Sequence, residues 1–181
     1  ELEHPGAPVT PQTHCVAEDL ARVCNAVQAE VALGRHVLVY VHWGVPGVTE
    51  VLDYQRELAV ALVDAGVDAV LGTHAHVLQG VEIIRGVPVL YGLSHIVFDM
   101  DGILTRWPRH SALTMAASFR LGADGVSGLR LIPYSMTESG GRSTTVRLRD
   151  TAVHDEMVRL CAPFGTSLTW DSPAAVTRVG L

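Results

Sequence analysis

The sequence contains no lysine, and all thirteen of its basic residues are arginine. This absence excludes chemistry that needs a lysine amine within these 181 residues, such as a Schiff base. Acidic residues outnumber basic ones by 19 to 13, which gives a formal net charge of −6. A chain with this balance has no basic footprint for a phosphate backbone, so we expect no nucleic-acid partner.

Cysteines and long apolar runs are also scarce. The three cysteines, Cys15, Cys24 and Cys161, are odd in number and widely spaced, so they predict neither a disulfide framework nor a zinc motif. This usage favours a reducing compartment, and we expect a cytoplasmic protein. No apolar run reaches the ~18 residues that a membrane-spanning helix needs, so no membrane span is expected in this chain.

Nearly half of the sequence is apolar, at 48%, which is enough for one buried core. Apolar side chains recur at helical spacing over residues 15–33 and 50–65, and Gly66 is a plausible stop for the second helix. The runs HVLVYVH (36–42) and DAVLG (68–72) are typical of buried strands. The order strand, helix, strand predicts a βαβ unit with parallel strands.

The second half of the chain is richer in short strands. Residues 81–84 and 87–92 predict a hairpin across a two-residue turn, and residues 111–121 and 126–134 predict a second hairpin. A further strand, a last helix and a loop-like tail are expected at 144–149, 150–162 and 163–181. We therefore predict a single α/β layered domain over residues 1–181.

Histidines follow three of the predicted strands. His42 closes the first strand, His74 and His76 follow the second, and His95 follows VPVLYG. Ligands of open α/β sheets bind beyond the carboxyl ends of the strands, and neutral imidazole is a common ligand of transition metals. In an extended segment, a His-x-His pair points both rings to one face. The pattern predicts a divalent metal site at His42, His74 and His76, with structural histidines as the alternative.

Carboxylates that could bridge two ions are harder to find. Bimetallic hydrolytic sites normally need them. Asp68 begins its strand, at the wrong end, and Glu50 and Asp53 lie in a first helical turn, where they can simply complement the helix dipole. Asp99 and Asp101 lie in VFDMDG, a segment that equally suits a turn. The sequence leaves the source of the carboxylates open.

The segments VHWG (41–44), residues 62–93 and VFD (97–99) resemble the CapA family of bacterial capsule and poly-γ-glutamate synthesis proteins, and LIP (131–133) also fits. The resemblance implies a metallophosphatase-like (calcineurin-like) fold. That fold takes carboxylates and an asparagine-histidine motif from an N-terminal half, and neither a GD nor an NNH motif occurs before residue 36. The resemblance therefore implies the C-terminal half of the domain, completed by an N-terminal half or a second chain.

The resemblance also implies roles for individual residues. It assigns His42, His74 and His76 to a site for one or two divalent ions, with manganese, zinc, iron and calcium as candidates. In GLSHIVFD, Ser94-His95 stands where the family usually has Gly-Asn. His95 is either drift at a packed position or a new general acid or base, because imidazole titrates near neutral pH and an amide does not.

Three functions remain open at this point. The CapA-like group looks to include metal-dependent epimerases of lasso-peptide precursors, so the sharpest expectation is α-carbon epimerisation of a peptide, with His95 as the catalytic residue. The second is a capsule or poly-γ-glutamate synthesis protein, anchored at the cell surface and acting on a polyglutamate-type substrate. The third is a metallophosphoesterase, which rests on fold analogy alone.

Overall fold

The computed structural model describes residues 16–97, 112–139 and 142–181. Its helices are α1 (Ala17–Ala32), α2 (Asp53–Ala65) and α3 (Ala152–Cys161), and a short 3₁₀ helix follows at Ala162–Phe164. Its strands are β1 (Leu38–Trp43), β2 (Ala69–His74), β3 (Val81–Ile84), β4 (Val87–Leu90), β5 (Leu113–Gly122), β6 (Gly125–Ser139), β7 (Arg142–Arg147), β8 (Leu168–Asp171) and β9 (Val176–Val179). None of the helices in these ranges is long and apolar enough to cross a membrane.

The first sheet has the strand order β1-β2-β4-β3. Strands β1, β2 and β4 are parallel, which confirms the predicted βαβ unit, and β3 pairs with β4 as the predicted hairpin. Helix α2 ends at Gly66, whose φ of 103° is the left-handed conformation typical of a glycine stop. The carboxyl ends of β1 and β2 meet in register, with His42 opposite Thr73.

The second sheet has the order β5-β6-β9-β8, and β7 pairs with the far end of β6. The prediction of a loop-like tail over residues 163–181 was wrong, because this segment supplies β8 and β9. Strand β9 pairs with both β6 and β8. Strands of four residues show too little alternation to be recognised from sequence, and here the neighbouring strands determine their conformation.

Two apolar clusters hold the layers together. One lies between the first sheet and helices α1 and α2, and includes Val27, Leu62, Val70 and Val89. The other joins the opposite face of that sheet to β5, β6 and α3, and includes Leu90, Met115, Leu131 and Met157. The described chain is thus a layered α/β structure in which β2 and β4 are packed on both faces, whereas the edge strand β1 leaves Leu38, Tyr40 and His42 exposed.

Candidate metal centre

Four histidines form a row at the carboxyl end of the parallel strands. His42 lies near the end of β1, His74 ends β2, His76 follows in the next loop, and His95 follows β4. The ring centroids are 4.2 Å apart for His42 and His74, 5.9 Å for His74 and His76, and 5.6 Å for His76 and His95. The structure therefore brings together all four predicted site residues, which we call the histidine row.

The backbone that carries the row is strained. His74 and His76 have φ values of 93° and 57°, and Ser94 has a φ of 62°. Residues other than glycine rarely adopt this conformation, and each instance costs about 1–3 kcal/mol. The expectation that His74-Ala75-His76 is an extended segment was wrong, since both histidines have a positive φ and the chain turns here, although the two rings still lie close together. Strain of this kind is concentrated at functional sites.

Burial makes three of the imidazoles harder to protonate. It lowers the pKa of His74, with a smaller contribution from the neighbouring His42, and it lowers the pKa of His76 in the same way. Burial, followed by the proximity of His76, lowers the pKa of His95 to about 4, so the expectation that this imidazole titrates near neutral pH does not hold in the folded, metal-free chain. At neutral pH these three rings are uncharged, which is the form that binds divalent metal ions.

A close backbone approach fixes the end of β1. The Trp43 indole is buried, its Nε1 donates to the carbonyl oxygen of Tyr91 at 2.8 Å, and its ring stacks on Tyr91. A Cβ on Gly72 would lie 2.0 Å from that carbonyl oxygen and 2.2 Å from the indole Nε1. Glycine is therefore required at position 72, and Trp43 anchors the strand that carries His42.

The ring spacing of the row is compatible with a shared metal ion. Two imidazoles bound to one ion at about 2.1 Å place their centroids roughly 4.5–5.5 Å apart. The observed spacings of 4.2–5.9 Å bracket this range. In the orientation the rings have here, however, no three His, Cys, Asp or Glu residues of the described ranges form a group that could hold a metal ion. The metal site therefore stays a prediction.

The candidate carboxylates give no support to a bridged pair of ions. Asp68 accepts hydrogen bonds from the Val37 backbone at 2.7 Å and from His36 Nδ1 at 3.1 Å, at the opposite end of the strands, as predicted. Asp53 is the first residue of α2. Asp99 and Asp101 lie outside the described residues.

Sequence reasoning missed the buried polar residues behind the row. Gln55 and Gln79 are fully buried and bonded to each other at 3.1 Å. Glu82 is also buried, and it accepts from the Tyr91 hydroxyl at 2.8 Å and from the Arg56 guanidinium. A glutamine or a glutamate inside an apolar run was the available signal, because such residues are buried only when they have partners.

The fold and the row define a layered α/β protein with clustered histidines at the carboxyl end of its parallel strands. A family model described as "Bacterial capsule synthesis protein PGA_cap" matches residues 3–100. The chain therefore belongs to this family of bacterial capsule synthesis proteins, which confirms the resemblance to CapA.

Curated relatives carry related names. The chain is 35% identical to "PGA biosynthesis protein CapA" of Bacillus subtilis (strain 168), over 57% of this chain and 26% of the relative. It is 30% identical to "Capsule biosynthesis protein CapA" of Bacillus anthracis, over 68% of this chain and 28% of the relative. It is 36% identical to a "Probable polyglutamine synthesis accessory protein" of Mycobacterium tuberculosis (strain CDC 1551 / Oshkosh), over 51% of this chain and 24% of the relative. The chain thus spans about a quarter of the length of these relatives.

Proposed function

We propose that the histidine row is the protein side of a divalent metal site, in a metal-dependent enzyme that acts on a peptide-type substrate. The observation that carries this proposal is the convergence of His42, His74, His76 and His95 at the carboxyl end of three parallel strands. The names of the relatives make a polyglutamate-type chain the first substrate to test.

In this proposal His42, His74 and His76 hold the ion. Imidazole nitrogen suits zinc and iron better than manganese and calcium, which prefer oxygen ligands. A bound ion would supply Lewis acidity toward a carbonyl or carboxylate oxygen. His42 is exposed, so a substrate can reach the row from solvent. Carboxylate ligands would come from an N-terminal half of the metallophosphatase-like domain or from a second chain.

The sharper version of the proposal is α-carbon epimerisation, with His95 as the catalytic base. The ring of His95 packs 5.6 Å from that of His76, so a substrate oxygen held at the row would bring an adjacent α-carbon near His95. His95 would accept the α-proton as the C–H bond breaks and its electron pair moves into the adjacent carbonyl, and a water molecule would return a proton to the opposite face of the α-carbon and invert the centre. A lasso-peptide precursor and a glutamyl chain are both substrates of this class.

The metal site is tested by exchanging single histidines. In the full native gene product, His74→Ala and His76→Ala should lose the metal that the unaltered protein retains after dialysis, as measured by elemental analysis. His36→Ala is the matched control, since His36 lies at the opposite end of the strands beside Asp68. Unchanged metal content in both His74→Ala and His76→Ala would rule out the metal site.

The role of His95 is tested separately. His95→Asn, which restores the residue that the family usually has, should keep its metal but lose the incorporation of deuterium at the substrate α-carbon in deuterated water. Exchange at the rate of the unaltered protein would exclude His95 as the base. Turnover of a simple phosphodiester by the unaltered protein, without α-proton exchange, would favour the phosphoesterase instead.

A further inference from the structure

Two fully buried glutamines lie between the loops that flank the histidine row. The β1–α2 loop (residues 44–52) begins two residues after His42, and the β2–β3 loop (residues 75–80) contains His76. Gln79 belongs to the β2–β3 loop, and Gln55 lies in the first turn of α2. Both side chains are 0% exposed, which is rare for glutamine unless every polar atom has a partner.

The amide of Gln79 bonds directly across to the other loop. Its Nε2 donates to the backbone carbonyls of Val48 and Glu50, each at 3.1 Å. Its Oε1 accepts from Gln55 Nε2 at 3.1 Å, and Gln55 Oε1 accepts from the backbone N–H of Leu52 at 3.0 Å. Because the two carbonyls can only accept, this network allows one orientation of each amide. The pair therefore fixes the two loops in a single arrangement.

Further contacts bring the same loops into van der Waals distance. The Gly47 N–H donates to the carbonyl oxygen of Ala75, between His74 and His76, at 2.8 Å. Gly44 has a φ of 87°, and a Cβ at this position would lie 3.3 Å from the Ala75 Cβ and 3.4 Å from Gln55 Nε2. The two loops thus meet through small residues, and the hydrogen bonds of Gln55 and Gln79 add to the same contact.

We propose that Gln55 and Gln79 are positioning residues that fix the β2–β3 loop, and with it His76, relative to His42 and His74 on the paired strands β1 and β2, and thereby tune metal affinity. This inference rests on the proposed metal function. None of the hydrogen bonds described above joins the pair to an imidazole. The pair acts by holding the β2–β3 loop, from which His76 projects, against the β1–α2 loop, and a ligand set loses affinity when its supporting shell loosens.

The test measures zinc affinity in the full native gene product, freed of metal and titrated with zinc alone. Gln79→Met keeps the side-chain volume but deletes the three bonds of the amide, and we expect the zinc Kd to weaken about 10-fold. Thr177→Val is the matched control, because Thr177 is also a buried polar residue but bonds His154 in the second sheet. It should lower stability without changing the zinc Kd. A folded Gln79→Met with the unaltered Kd would overturn the proposal.

A metal-free measurement separates this inference from the metal proposal itself. Nitrogen-15 spectra of the histidine rings should show a shifted signal for His76 in Gln79→Met, but not in Thr177→Val. A His76 signal that does not move in Gln79→Met would overturn the positioning role, whether or not the protein binds zinc. A signal that moves in a protein that binds no zinc would refute the metal site but leave the positioning role intact. If Gln79→Met does not fold, the same spectra are recorded for Gln55→Met. We expect a smaller shift of the His76 signal in this variant, in the same direction. An unmoved His76 signal in Gln55→Met would equally overturn the positioning role.

Discussion

Gly72 supports the end of the strand that carries His42, and its replacement by alanine tests this support. The added Cβ would lie 2.0 Å from the Tyr91 carbonyl oxygen and 2.2 Å from Trp43 Nε1, so either β2 and β4 separate or the indole leaves its hydrogen bond. Overpacking a core costs about 1–3 kcal/mol. Leaving a buried carbonyl unsatisfied costs about 1–3 kcal/mol more. We expect Gly72→Ala to lower the free energy of unfolding by about 2–6 kcal/mol.

Urea unfolding measures this loss. With a denaturant slope of about 2 kcal/mol per molar, the midpoint should fall by about 1–3 M. Gly122→Ala is the matched control, because an added Cβ at Gly122 meets nothing within 4 Å, and it should change stability by less than about 0.5 kcal/mol. Equal midpoints for the two variants would show that the contact of Gly72 with Trp43 and Tyr91 does not constrain the fold.

Two further predictions concern titration and a buried network. Burial depresses the pKa of His74, His76 and His95, the last to about 4, so the folded state binds fewer protons than the unfolded state. Metal-free protein should therefore be fully stable above pH ~6.5 and lose stability as the pH falls toward 4. His95→Asn should make the free energy of unfolding depend less steeply on pH, as measured by urea unfolding at a series of pH values. A flat profile for the unaltered protein would contradict this reasoning. Tyr91→Phe removes the hydrogen bond to the buried Glu82 and should cost about 1–2 kcal/mol by the same assay, whereas an unchanged midpoint would mean that this bond contributes nothing net.

The elements of the first sheet could be predicted because their signals are local. Helical periodicity over residues 15–33 and 50–65 matches α1 (Ala17–Ala32) and α2 (Asp53–Ala65) to within a few residues. β8 and β9 could not be predicted in this way. They are four residues long, and β9 is buried because it pairs with β6, a contact made across 46 positions, from Leu131 to Thr177.

The composition of the histidine row was predictable, and its geometry was not. Parallel strands in register bring their carboxyl ends together, and this places His42 beside His74. The turn through His74 and His76 was not foreseeable, since a positive φ outside glycine is imposed by the surrounding packing. Gln79 is visible in the sequence as a polar residue in an apolar run, but its partner Gln55 lies 24 residues earlier on a helix.

The charge of the row bears on the class of substrate. Imidazole ligands are neutral, so an ion held by histidines alone keeps both of its positive charges. The chain itself has a formal net charge of −6 and would repel a carboxylate-rich polymer elsewhere on its surface. An ion at the row would therefore concentrate attraction for such a polymer at the point where His95 lies. Each carboxylate ligand that also bound the ion would weaken that attraction. In the proposed metal site, the number of carboxylate ligands would therefore decide how strongly the row attracts a carboxylate-rich polymer.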